Sequence, residues 1–143
     1  MPATFDNLGI SFQYPENWTI DEEDVQKGGC VTVYSPGGGF LSVAIHPPTA
    51  DPEKLADAAV DAMKAEYPEV EVGVVHETVA DRELVGYDFN FYYLDLTNTA
   101  TIRCMQTDMG AYSIFCQAED REFDQIKPVF DAIAMSFLHG LPL

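Results

Sequence analysis

From Leu84 to Met109 the chain reads LVGYDFNFYYLDL, a polar break at Thr97-Asn98, then TATIRCMQTDM. In the first half Val85, Tyr87, Phe89, Phe91 and Tyr93 fall at every second position. Successive side chains of a strand point to opposite faces, so these five line one side. The other parity holds Gly86, Asp88, Asn90 and Tyr92 and is mostly polar. The pattern predicts a long strand with one aromatic, buried face.

The rest of the chain follows the same two periods. Thr4–Asp6 predicts a short edge strand, Asn7-Leu8-Gly9 a turn, and the alternation of Ile10, Phe12 and Tyr14 a second strand. After Pro15-Glu16-Asn17, Trp18 resumes extended chain to Ile20, and the polar run from Asp21 to Gly29 reads as a solvated loop. Cys30–Ser35 and Phe40–His46 are strands around Pro36-Gly37-Gly38-Gly39. Setting Val31 and Val33 opposite Val43 and Leu41 requires an odd loop between them. Asp51, Pro52 and Glu53 are the cap, first residue and first turn of a helix carrying Leu55, Ala59, Met63 and Tyr67 at a spacing of four, ended by Pro68. Val70, Val72 and Val74 alternate as a strand. A turn over Ala80–Glu83 would set Val74 opposite Phe89 and Val72 opposite Phe91. A loop over Leu96–Thr99 would set Tyr93 opposite Ile102, Phe91 opposite Cys104, and Tyr92 opposite Arg103. Met109-Gly110 turns into a last strand, Tyr112–Ala118, and Phe123, Ile126, Val129, Phe130, Ile133, Ala134 and Phe137 carry helical spacing, stopped by Gly140. Pro128 marks a kink or the true first turn of that helix. Met105, Tyr112 and Ile114 fall on the face away from the aromatics, so both faces of the sheet are covered. The expected fold is α+β: an antiparallel sheet of about six to seven strands with helices packed on its faces, an α/β/α sandwich.

Length and composition fit one domain over residues 1–143, because 47% apolar residues, with nine Phe and seven Tyr, can fill a core. Charge narrows the partners. With 24 acidic against 7 basic residues the formal net charge is −17. Phosphate backbones and anionic membrane surfaces are repelled, so neither nucleic acid nor membrane is an expected partner, whereas a basic protein surface is. The N-terminus has no basic or apolar leader pattern and no apolar run reaches the ~20 residues of a membrane helix, which predicts a cytoplasmic protein. Cys30, Cys104 and Cys116 are odd in number and lack CxxC spacing, so free thiols are expected.

Local sequence offers little catalytic chemistry. His46, His76 and His139 stand at no metal-binding spacing from one another, the run Asp21–Asp24 lacks the interleaved pattern of a calcium loop, and Gly37-Gly38-Gly39 joins two strands with no GK[ST] behind it. No catalytic residue, metal or cofactor is expected. The candidate binding residues are Asp88, Asn90, Tyr92 and Arg103, the polar face of the central hairpin, since Tyr and Arg are favoured in interface hot spots.

The stretches GISFQYPENW, FLSVAIHPP before an acidic-capped helix, and FDQIKPVFDAIAMSF resemble the PsbP-like (Mog-type) superfamily. The resemblance spans nearly the whole chain and implies an antiparallel sheet between helices. Its members include an extrinsic photosystem subunit, a Ran-binding import factor and bacterial cytosolic proteins, some of them adaptor chaperones. It therefore implies binding to another protein rather than catalysis, and carries over no catalytic residue. The alternative is a small-ligand-binding or hydrolytic protein with a site assembled across the fold. A deep pocket with converging polar groups would mark the alternative, and a broad face with exposed aromatics would mark the binder.

Overall fold

The computed structural model describes residues 2–141. In chain order its elements are β1 (Pro2–Asn7), β2 (Ile10–Pro15), β3 (Thr19–Ile20), α1 (Glu22–Lys27), β4 (Cys30–Tyr34), β5 (Phe40–His46), α2 (Pro52–Glu66), β6 (Glu71–Val79), β7 (Arg82–Tyr93), β8 (Leu96–Gln106), β9 (Ala111–Glu119) and α3 (Asp120–His139). Seven strands form one antiparallel sheet in the order β3-β4-β5-β9-β8-β7-β6. Among the described residues, strands β1 and β2 pair only with each other. The expected strand at Thr4–Asp6 therefore does not edge the main sheet. Its hairpin lies over it instead, with Phe5 stacked on Phe12 at 5.1 Å.

The two parities of the central strands feed two separate cores. On one face Phe89, Phe91, Ala100, Ile102 and Cys104 pack with Ala56 and Met63 of α2. On the other, Val31, Val33, Leu41, Val43, Met105, Tyr112 and Ile114 pack with Phe123, Phe130, Ile133 and Phe137 of α3 and with Phe5, Ile10 and Phe12 of the β1–β2 hairpin. Trp18 closes this side edge-on against Phe130 at 5.8 Å. The result is the expected α+β sandwich: α2, the sheet, then α3 with the small hairpin.

The ends of the helices follow from short-range chemistry. Asp51 accepts from the Glu53 N–H with Pro52 opening α2, as the sequence predicts. The expected loop at residues 21–29 contains α1 instead. Asp21 accepts from the backbone of Glu23 and Asp24, three acids complement the helix N-terminus, and Thr32 Oγ1 bonds Asp24. Glu119 caps α3, which contains Pro128 in its interior and ends at Gly140.

Register departs from expectation at two turns. The β4–β5 loop is odd, as expected, with Val31 opposite Val43 and Val33 opposite Leu41. The β6–β7 turn is only Ala80-Asp81, at φ 52° and 61°, so Val72 faces Phe89 and Val74 faces Tyr87. The β7–β8 turn is only Leu94-Asp95, at φ 51° and 62°, so Tyr93 faces Leu96 and Tyr92 faces Thr97. Two consecutive residues of positive φ match the twist of a tight hairpin. Both shifts are even, so every side chain keeps its predicted face.

Candidate binding surface

The four predicted residues, Asp88, Asn90 and Tyr92 on β7 and Arg103 on β8, share the sheet face that carries α3. That helix packs over β8, β9 and β2. The β6–β7 part of the face lies beside it, with Asn90 and Tyr92 exposed. The predicted Tyr92–Arg103 pair does not form. The tight turn places Tyr92 opposite Thr97 and Arg103 opposite Gly86, several pairs apart along the hairpin.

Arg103 instead binds two acids. Its Nε donates to Glu77 Oε1 and its Nη2 to Asp88 Oδ1, both at 2.8 Å. Its Nη1 donates to the carbonyl oxygens of Tyr87 at 3.1 Å and Ile102 at 3.0 Å. The side chain is only 15% exposed. Burial pulls against its charge, but the hydrogen bonds to Asp88 and Glu77 outweigh that and hold the guanidinium above its ordinary pKa. Arg103 thus ties β6, β7 and β8 together, with four of its five N–H donors used inside the protein. Gly86, its cross-strand neighbour, is required: a Cβ there would lie 1.7 Å from the Ile102 carbonyl oxygen. Farther along, Thr99 Oγ1 lies 2.7 Å from Asp120 Oδ1 and 3.2 Å from Asn90 Oδ1, joining the β8 face to the first residue of α3.

The exposed apolar surface concentrates at the tip of the β7–β8 hairpin. Tyr92 is 72% exposed and Leu94 77%, with Tyr93 and Leu96 also exposed. The tip is anchored by aromatics: Tyr93 meets Tyr67 edge-on at 6.2 Å, and Tyr67 stacks on the buried Phe91 at 4.2 Å. The aromatic alternation shows this strand in the sequence. The exposure of its last two tyrosines follows from a turn whose residues carry no Asn-Gly signal.

Two other features bear on chemistry. A cavity of about 340 Å³ lies between α3 and the sheet, floored by Leu84, Ile114, Phe130 and Leu138 and rimmed by Glu77, Arg103, Lys127 and Asp131. Its charges are already paired, Lys127 to Asp131 at 2.8 Å and Arg103 to Glu77. On the opposite face His46 Nε2 lies 3.0 Å from Ser113 Oγ, which also accepts from Cys104 Sγ at 3.6 Å. Sequence reasoning missed this cluster because its residues come from three strands. Burial alone pushes His46 down, and burial raises the Cys104 thiol against the smaller effects of Ser113 and Arg103. Among the described residues no carboxylate orients the histidine, so the cluster lacks the third group of a charge-stabilised nucleophile. Among the described residues, no three of His, Cys, Asp and Glu converge as a metal site.

Solved structures share this architecture. Cyanobacterial PsbP (CyanoP) from Synechocystis superposes with a TM-score of 0.63 at 14% identity, covering 94% of this chain and 90% of the other. The Saccharomyces cerevisiae Ran-binding protein Mog1p gives 0.57 at 10% identity, covering 98% and 92%. The fold is that of PsbP and Mog1. LpqN of Mycobacterium tuberculosis, described as involved in cell envelope biogenesis, also superposes on the PsbP/Mog1-like fold, with a TM-score of 0.53 at 14% identity over 93% of this chain and 86% of its own. No family model and no curated protein sequence matches the chain. The resemblance read from GISFQYPENW and FDQIKPVFDAIAMSF therefore holds at the level of the fold. No described helix is long and apolar enough to cross a membrane.

Proposed function

We propose that this PsbP/Mog1-like chain is a non-catalytic protein-binding module, an adaptor or chaperone-like domain, acting in the cytoplasm. The observation that carries the reading is the hairpin tip, where Tyr92, Tyr93, Leu94 and Leu96 stand in solvent on an anchored aromatic stalk. Tyr93 and Leu96 lie on the α2 face and Tyr92 on the other, so the tip presents apolar surface on both sides of the ribbon. Exposed apolar side chains gathered in this way mark interaction surfaces. The net charge of −17 favours a partner with a basic surface, because opposite fields speed association. A protein partner is in keeping with the Ran-binding name of one structural neighbour. Three unpaired thiols fit a reducing compartment. Asp88, Asn90 and Tyr92 continue the surface from the tip, whereas Arg103 supports it from within.

The test is affinity capture by the intact protein and by a Tyr92→Ala, Leu94→Ser double variant. The expected result is a discrete set of proteins bound by the first, lost from the second, and weakened by salt. Equal capture by both chains would remove the tip from the reading. A hydrolytic reading is favoured by the His46–Ser113 hydrogen bond alone. Turnover of a p-nitrophenyl ester that disappears in Ser113→Ala would replace the binding proposal, and no such turnover is expected.

A further inference from the structure

The two ends of the main sheet differ. At one end β3 is two residues long and runs directly into α1. At the other, β6 spans nine residues, Glu71–Val79, and among the described residues is paired along its whole length to β7 alone. An antiparallel edge of that length turns the N–H and C=O of alternate residues outward. Edges are ordinarily blunted by proline, by charged side chains, lysine above all, or by a bulge, and the charges of β6 are the two acids Glu71 and Glu77. The sequence of β6, EVGVVHETV, contains no proline, lysine or arginine, and its pairing with β7 is unbroken. Gly73 adds a second opening, since a Cβ built there would meet nothing within 4 Å. Glycine in an edge strand leaves room for another backbone.

The side chains of β6 show which backbone fits. Val72 packs into the α2 core, and Val74, two residues on, is on the same side and 67% exposed. Glu71, Val75 and Glu77 take the opposite parity, on the side where Glu77 meets Arg103. One side of the edge is therefore apolar at Val72 and Val74 before it turns polar at His76 and Thr78. The other carries the carboxylates of Glu71 and Glu77 on either side of Val75, continued inward by Asp88. Arg103 takes Oε1 of Glu77, and a carboxylate accepts hydrogen bonds at both oxygens.

We propose that β6 accepts an extended segment of a partner protein as an eighth strand, and that this segment alternates apolar with basic residues. Its apolar side chains extend the Val72–Val74 track while its Lys or Arg side chains meet Glu71 and Glu77. This deepens the protein-binding reading by naming the mode and the chemistry of the bound segment, main-chain hydrogen bonds supplying affinity and the alternating side chains specificity. A second copy of this chain fits the edge poorly, because it brings a second net charge of −17 toward it.

The probe is an acetylated, amidated nonapeptide of alternating valine and lysine, added to the intact protein and followed by amide hydrogen exchange. Saturable binding is expected, with exchange slowed at least tenfold at alternate β6 amides and little changed at β3. The same peptide N-methylated at every second residue is expected to bind at least tenfold more weakly, as is the parent peptide to Val74→Lys. That substitution falls at an exposed position and leaves the melting temperature unchanged. Absence of saturable binding, protection away from β6, or indifference to N-methylation would overturn the proposal. Protection of β6 that grows with protein concentration, without peptide, would assign the edge to a second copy and overturn it as well. If Val74→Lys still captures the partners that the tip variant loses, the edge proposal falls and the protein-binding reading stands.

Discussion

At Gly86 the backbone of β8 passes so close that a methyl group would overlap the Ile102 carbonyl, and the guanidinium of Arg103 fills the space beside it. Gly86→Ala is expected to cost upward of about 2 kcal/mol in urea unfolding, since overpacking here must separate two paired strands. His46 makes a different residue-scale prediction. Its folded-state pKa lies below the ordinary 6.5 because burial disfavours the imidazolium. The unfolded chain therefore takes up the proton first as pH falls. The stability is present above about 6.5 and is lost as pH drops toward the folded value. His46→Gln, measured against the parent between pH 7 and pH 5, is expected to show a shallower fall in unfolding free energy. The cysteines illustrate how faces limit chemistry. Cys104 and Cys116 sit on neighbouring strands but belong to opposite cores, so no disulfide joins them, and burial pushes the Cys116 thiol up to about 12. In the sequence these two positions leave a pairing open, and only the sheet separates them.

Strand β7 is the element with the sharpest division of labour. Phe91 is buried beneath Tyr67, while Tyr92, the next residue, stands 72% exposed. Phe91→Ala is expected to cost about 3–5 kcal/mol through lost burial and the cavity it leaves. Tyr92→Ala is expected to change stability by less than about 1 kcal/mol. Thermal melts of both decide whether the faces are assigned correctly. The faces were legible in the sequence because strand periodicity is two and survives an even slip. The register was not, because the turn residues Ala80-Asp81 and Leu94-Asp95 adopt left-handed backbone that Ala and Leu rarely take. For the same reason the predicted site was half legible. The four residues share a face, but the Tyr92–Arg103 contact depended on register and gave way to Arg103 with Glu77 and Asp88. Helix α1 was missed because Val25 is its only apolar residue, although Asp21 is a well-placed cap.

At the scale of the whole molecule the −17 charge governs response to ions. Like charges repel more strongly in the compact state than in the unfolded chain. Raising sodium chloride from about 10 mM to about 0.1 M cuts the Debye length from about 30 Å to about 10 Å. The melting temperature is expected to rise by a few degrees, roughly what 1 kcal/mol produces in a domain of this size. An unchanged melting temperature would mean the acids are already compensated by spacing or pairing. The sheet also partitions the interior unequally. The α3 side buries a large cluster of aromatic and aliphatic residues, whereas the α2 side holds a smaller one to which α2 contributes the buried Ala56 and Met63 and the half-buried Leu55, Ala59 and Val60. Cooperative units of unequal content open at unequal free energies. The α2 layer is therefore the part that breathes first, lifting from the sheet while the strands stay clamped by α3, and its amides should exchange through a partial opening well below the free energy of global unfolding.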